Sequence, residues 1–363
     1  MRKPRALFLT FNNIDNSNTG GAICSVRNLE MVSVFYKTDV FAVKNSKLSK
    51  MFSVFFLFFP PLSVFDYFKI KKKIKNNNYD LIFCDSSLFG ILVKYLCAKG
   101  IDIKIITFFH NVEYDYVSVR FGGKIISYPY KVLSYVNEKL SLKHSRVTIC
   151  LNKRDQDRIF SLYKKVVSLQ IPITLNSKYD KNEMMTACEN KSVEESYILF
   201  VGSLNRSNYI SIEWFVNNVM PYLKQGRLLI VGVGFETMKD KLERSNVEII
   251  GGVDNIEDYY FTSEVVVSPI IEGAGMKVKV AEALMYGKPI FGSSEAFEGF
   301  DISNEKCTIV CNSASEYIES LNLFLEQNNG KRFNSVCRDL FENNYSSEIA
   351  IKSFYTQVVG FIS

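Results

Sequence analysis

Ten short apolar runs rich in Val, Ile and Phe recur along the chain, in two sets of five. The first set is RALFLTF (5–11), TDVFAV (38–43), DLIFCD (80–85), IKIITFFH (103–110) and RVTICLN (146–152). The second is YILFVGS (197–203), RLLIVGV (227–233), VEIIGGV (247–253), VVVSPI (265–270) and PIFGS (289–293). The runs are continuous rather than alternating, as in parallel strands covered on both faces. Helical-looking stretches separate them, so the repeating unit is βαβ. Between the sets, NSKYDKNEMMTACENKSVEES (176–196) is polar and aperiodic and reads as a linker. The expected organisation is two doubly wound α/β domains at 1–172 and 196–340, with a linker at 173–195. The segment 341–363 is expected to be a helix that packs back on the first domain. Open α/β sheets bind ligands at the carboxyl ends of their strands, which places the expected site in the cleft between the two domains.

Composition narrows the partners. The 363 residues suit two domains with real cores. A net charge of +6 favours an anionic partner without establishing one. The basic run is not repeated on a second element, so nucleic acid is the least favoured partner. Eight cysteines are scattered without a CxxC pair, and Cys307 and Cys311 have no Cys/His pair to complete a zinc site. Several sit in apolar runs as small hydrophobes, which points to a reducing cytoplasm. The basic start MRKPRALFLTF has too short an apolar run for a signal peptide.

One segment strains this picture. MFSVFFLFFPPLSVFDYF (51–68) is aromatic and apolar, is broken by Pro60–Pro61, and is too short to span a bilayer. KIKKKIK (69–75) follows it. Aromatic residues beside a basic cluster suit an anionic membrane surface, here through 51–75. The competing reading is a buried loop and helix next to a solvated charged helix.

The densest chemistry lies in EGAGMKVKVAEALMYGKPIFGSSEAFEGF (272–300). A strand ends near Pro269, a glycine-rich loop follows, and a helix is expected from about Met276 to Tyr286. Gly287 suits the terminating position and Pro289 prevents continuation. Lysine at a helix start is repelled by the helix dipole. Lys277 and Lys279 there imply an anion that offsets the repulsion, held also by free N–H groups and glycine backbone. Glu282, one turn on, is an acceptor suited to vicinal hydroxyls. Together these read as a nucleoside diphosphate, phosphates at the loop and ribose one turn further. The same residues also read as a solvated lysine pair with an i,i+3 glutamate, worth only about 0.2–0.5 kcal/mol, which would not require the glycines.

These motifs resemble the family-4 retaining glycosyltransferases, glycosyl transferases group 1, which have the GT-B fold of two facing Rossmann-like domains. GAGMKVKVAEALMYGKPIFGSS followed by EGF resembles their donor-binding segment, and YILFVGSLNRSNYISIEWFVNNVMPYL with RLLIVGVG resembles the start of their C-terminal domain. Gly20–Gly21 resembles their N-terminal glycine loop, and FFHNVE (108–113) the strand end that carries a sugar-contacting histidine. The resemblance implies that Gly20 and Gly21 approach the donor phosphates, His110 the donor sugar, Lys277 and Lys279 the diphosphate, and Glu282 the ribose. Glu272 matches the family's first glutamate, which contacts sugar hydroxyls. The loop atoms of Gly273, Ala274, Gly275 and Met276 line the donor, and Glu113 lies on the acceptor side. Two departures stand out. Glu272 and Glu282 are ten positions apart where many members have eight. Ser203 and residues near Asn208 stand where many members have cations, a loss that Lys277 and Lys279 make good, with Arg206 as a helper.

The resemblance further implies transfer of a sugar from a nucleotide diphosphate sugar, the co-substrate, to an acceptor hydroxyl with retention, the departing phosphate oxygen taking the acceptor's proton. No DxD motif is placed for a divalent ion and no other cofactor is indicated, so metal-independent catalysis is expected, with lysines and a helix start balancing the leaving group. A sugar or lipid-linked acceptor at the inner face of the plasma membrane, in bacterial surface polysaccharide or glycolipid assembly, suits the 51–75 segment. The rival readings are a nucleotide-sugar 2-epimerase, for which this two-histidine chain offers few groups (His144 sits in a basic helical stretch), and a non-catalytic nucleotide-sugar-binding subunit.

Overall fold

The computed structural model describes residues 3–15, 20–44, 57–101, 103–121, 125–190, 197–273 and 275–359. The chain divides into two compact units, Met1–Thr174 with Ser347–Ser363, and Leu175–Ser346.

The first unit is built on a parallel sheet of β1 (Arg5–Thr10), β2 (Lys37–Ala42), β3 (Leu81–Cys84), β4 (Lys104–Phe109), β5 (Val147–Cys150) and β6 (Leu169–Gln170), in the order β2-β1-β3-β4-β5-β6. Its central strands are buried apart from the first residues of β1 and β4, which is why they read as unbroken apolar runs. The helices are α1 (Gly20–Phe35), α2 (Val64–Asn76), α3 (Gly90–Ala98), α4 (Glu113–Phe121), α5 (Tyr128–His144) and α6 (Lys153–Tyr163). Ser63 and Asp66 form a capping box that fixes the start of α2, and the Asn152 side chain caps α6.

The second unit repeats the scheme. Strands β7 (Tyr197–Val201), β8 (Leu228–Val231), β9 (Val247–Gly251), β10 (Ser263–Ser268), β11 (Ile290–Gly292) and β12 (Thr308–Val310) run parallel in the order β12-β11-β10-β7-β8-β9. Around them lie α7 (Lys181–Asn190), α8 (Arg206–Asn218), the short α9 (Glu257–Thr262), α10 (Val278–Met285), α11 (Ala314–Asn328) and α12 (Ser335–Asn344). Each sheet reverses its strand order once, between β1 and β3 in the first unit and between β7 and β10 in the second. At such a switch point neighbouring crossovers part on opposite faces and leave a crevice at the carboxyl edge.

Three boundaries differ from the sequence reading. The polar stretch 173–195 is not a bare linker, because it contains α7, which buries Met184 and Cys188 in the second unit. Residues 341–344 belong to α12 of that unit, and the returning helix α13 starts at Ser347 and ends at Phe354. Phe354 is fully buried, its ring 6.1 Å from that of Phe35 on α1 and 6.3 Å from that of Phe83 on β3. Burying one such side chain contributes about 1.5–3 kcal/mol, enough to anchor a short helix on the first unit. The helix expected from Met276 starts at Val278, with Lys277 at its N-cap position. Gly287 ends it at φ 65°, and a Cβ there would lie 2.6 Å from the Phe333 ring, so any side chain would be both strained and crowded.

Candidate functional site

Each unit gathers polar side chains at its switch point. In the first unit the centre is Asp85, the residue that follows β3 and is 1% exposed. Thr10, the last residue of β1, donates its hydroxyl to Asp85 Oδ2 at 3.0 Å, and Ser25 of α1 donates to the same oxygen. Asn28 Nδ2 lies 2.6 Å from Oδ1 and His110 Nε2 3.0 Å from it. A carboxylate buried this deeply is stable only because donors converge on it. Burial alone would push the His110 imidazole down. The charge and hydrogen bond of Asp85 outweigh it and hold His110 at about 10. His110 is therefore an imidazolium at neutral pH, with Nε2 committed to Asp85. A second buried cation, Arg27, stands over the Phe108 ring at 5.3 Å.

Glu113 opens α4. Its N–H donates to Glu138 Oε1 at 2.9 Å, while Tyr114 N–H and the Tyr163 hydroxyl donate to Oε2 at 3.1 and 2.6 Å. Burial pushes the Glu138 carboxyl up to about 8 and also raises that of Glu113, although the His110 charge opposes the latter. Gly20 and Gly21, expected in a loop, form the first turn of α1 instead, and the Gly21 carbonyl accepts from Asn12 Nδ2 at 3.3 Å.

In the second unit, two helix starts meet at the carboxyl edge of β7 and β10. Asn205 caps α8, and Asn208 in its first turn turns back to donate to the Ser203 carbonyl at 2.8 Å. The Oδ1 of Asn208 accepts from Lys279 Nζ at 2.9 Å, and that ammonium stands 4.2 Å above the Phe200 ring. Gly202 makes the approach feasible, since a Cβ there would sit 2.7 Å from Asn208 Nδ2 and 3.0 Å from Lys279 Nζ. Burial lowers the Lys279 pKa to about 7, despite the raising influence of Glu282. Glu282, half-buried, accepts from the Tyr260 hydroxyl at 3.0 Å, and the Tyr260 ring is stacked on Tyr286 at 4.5 Å.

Lys277 is held differently. Its ammonium donates to the Gly275 carbonyl at 2.6 Å and to Glu295 Oε1 at 3.0 Å. The charge expected to demand an external anion is thus already balanced in part by Glu295. Arg206 and Glu272, assigned separate contacts with the donor, form an ion pair with one another, and Ser207 Oγ donates to the Glu272 carbonyl. Gly273, Gly275 and buried Met276 lie in the loop before α10, whereas Ala274 falls outside the described residues. Among the described residues, no group of three or more His, Cys, Asp or Glu side chains is gathered that could hold a metal ion.

Asp85, Glu295, Tyr260 and Glu138 did not emerge as site residues from the sequence, and Asn208 entered only as a place near which a cation is missing. Asp85 left one signal, a carboxylate placed directly after an apolar strand.

Comparison with known proteins supplies a class for this arrangement. Residues 195–327, most of the second unit, match the family described as glycosyl transferases group 1. A relative from Klebsiella pneumoniae, described as an uncharacterized 44.6 kDa protein in cps region, is 22% identical over 323 residues, covering 82% of this chain and 79% of its own. Sucrose-phosphate synthase from Thermosynechococcus elongatus superposes with a TM-score of 0.70 at 16% identity, over 98% of this chain and 100% of that one. HepE of Anabaena, solved with UDP and glucose, gives 0.66 at 11% identity over 98% and 99%. A lipopolysaccharide outer core galactosyltransferase, WaaB, gives 0.64 at 12% identity over 98% and 99%. The fold is GT-B, and with the family match these findings support a glycosyltransferase of the GT-B type.

Proposed function

We propose that the chain moves a glycosyl group from a nucleotide diphosphate sugar to an acceptor hydroxyl with retention of configuration. One observation carries the reading. Lys279, 9% exposed, is held by Asn208 and Phe200 at the carboxyl edge of the β7/β10 switch point. A buried ammonium with a depressed pKa is unfavourable for stability and is well explained by a departing diphosphate that restores its charge. Lys277, the α8 and α10 helix starts, Ser203, and the backbone of Gly273, Gly275 and Met276 complete the anion site. Glu282, oriented by Tyr260, takes the ribose, and Arg206 fixes Glu272 for the sugar hydroxyls.

In the first unit, Gly20 and Gly21 at the start of α1 bind phosphate. His110 contacts the donor sugar through the face turned away from Asp85, and Glu113 bonds the acceptor. The leaving phosphate oxygen receives the acceptor's proton, and the lysines supply the positive charge that a metal would otherwise bring. UDP bound in HepE and the cps region of the Klebsiella relative support a nucleotide-sugar donor and polysaccharide assembly.

The test is turnover by the purified chain, with the product's anomeric centre read by NMR. Transfer with the donor's anomeric configuration, undiminished by EDTA, is expected. An inverted product, an epimerised free sugar nucleotide, or binding without turnover would each overturn it.

A further inference from the structure

α2 has two faces of opposite character. Tyr67, Ile70 and Ile74 are buried against the first unit's core, whereas Phe65 and Phe68 are 57% and 59% exposed. At about 100° per residue, Phe65, Phe68, Lys69, Lys72 and Lys75 fall on the single outward stripe. The helix carries five lysines and one acid, Asp66, which is buried in its cap and pairs with Lys69 at 4.0 Å.

A second element of the first unit also exposes apolar side chains. Ile125 is 93% exposed and Tyr128, the first residue of α5, 69%. The Phe59 ring meets that of Tyr130 at 6.1 Å edge-on, and Asn137 Nδ2 of α5 donates to the Leu57 carbonyl at 3.1 Å. The segment that leads into α2 is therefore seated on α5. Both helices run back towards the amino ends of the strands they precede, so both begin at the carboxyl edge of the sheet. Asp85 and His110 lie at that same edge.

We propose that the first unit docks on an anionic lipid surface through the outward face of α2 and the start of α5. The exposed rings enter the interface and the lysines face the lipid phosphates. No helix among the described residues is long and apolar enough to cross a membrane. Resting on the transferase reading, the acceptor is then a lipid-linked sugar presented at the edge that carries His110.

The experiment is flotation of the full chain with vesicles of phosphatidylcholine, with and without phosphatidylglycerol. It compares the wild type with Lys69→Gln/Lys72→Gln/Lys75→Gln and Phe65→Ser/Phe68→Ser. All five residues are exposed, Lys69 lying 4.0 Å from Asp66 and the Phe68 ring 5.3 Å from that of Tyr67, so only small drops in melting temperature are expected. Binding should require phosphatidylglycerol and weaken with salt. The triple variant should lose roughly 100-fold in affinity, about fivefold per lysine, and the double variant should lose binding at low salt as well. No wild-type binding, equal binding to neutral vesicles, or a triple variant that binds normally would overturn the proposal. Nucleoside diphosphate binding is measured on the same samples. Vesicle binding without nucleotide binding would sink the transferase reading and leave the docking intact, and the reverse would sink the docking alone.

Discussion

His110 Nε2 and Asp85 Oδ1 lie 3.0 Å apart inside the first unit, a charged pair at the carboxyl edge of β3 and β4. Removing the carboxylate takes away the counter-charge of the His110 imidazolium, whose Nε2 keeps only the Asp85 carbonyl at 3.1 Å, and leaves three further donors unpaired. Asp85→Ala is expected to destabilise the protein by about 3–5 kcal/mol, whereas Asp85→Asn, which retains acceptor capacity, loses less. Urea unfolding of both variants measures the difference. Equal losses would mean that charge plays no part.

The same pair sets a pH dependence. The folded pKa of His110, about 10, lies above its ordinary value near 6.5. The stabilisation is therefore complete below about pH 6.5 and is lost as pH rises through about 10. The stability gap between wild type and His110→Gln should narrow across that window. A gap independent of pH would contradict the pairing.

Lys279 and Lys288 separate function from structure. Lys288 is fully buried and donates to the carbonyls of Phe261 at 3.4 Å, Ser263 at 2.9 Å and Arg332. Lys288→Met strands those acceptors and should cost about 2–4 kcal/mol. Lys279→Met removes an ammonium whose burial is unfavourable and should leave the melting temperature unchanged or raised, yet abolish transfer. Matched loss of stability in the two variants would argue that Lys279 is merely structural.

Diphosphate binding should also protonate Lys279. Its pKa of about 7 lies below the ordinary lysine value, so between pH 7 and about 10 an arriving anion draws a proton onto the amine. Calorimetry at pH 8 in buffers of different ionisation enthalpy should detect proton uptake in the wild type, and affinity should fall as pH rises. Undiminished uptake by Lys279→Met would assign the proton elsewhere.

Tyr260→Phe tests the orientation of Glu282. Loss of one hydrogen bond to a charged acceptor should weaken nucleoside diphosphate binding by roughly 10-fold and leave inorganic diphosphate binding unchanged. An equal effect on both ligands would detach Glu282 from the ribose.

The alternation of buried strands and helices was legible because parallel strands covered on both faces must be apolar throughout. Strands β6 and β12 escaped notice because two or three residues carry no periodicity. Helix α7 was hidden for a related reason, since only Met184 and Cys188, one turn apart, mark its buried face in a polar stretch. Lys277, Lys279, Glu282 and His110 stood out as charged or titratable groups beside glycines or strand ends. Their partners did not, because 25 residues separate Asp85 from His110 and 71 separate Asn208 from Lys279. Topology alone joins these pairs, by setting β3 beside β4 in the first unit and the non-consecutive β7 and β10 together in the second. Glu295, 18 residues beyond Lys277, likewise lay in a loop whose path the local sequence does not encode.

The most direct test is the dissociation constant of a nucleoside diphosphate for the wild type and for Lys279→Met, measured at pH 7 with EDTA present. A charged hydrogen bond to phosphate is worth about 1.5–3 kcal/mol, so the variant should bind roughly 10- to 100-fold more weakly while melting no lower than the wild type. Equal affinity in the two proteins, or no nucleotide binding by the wild type, would contradict the donor site at the start of α10.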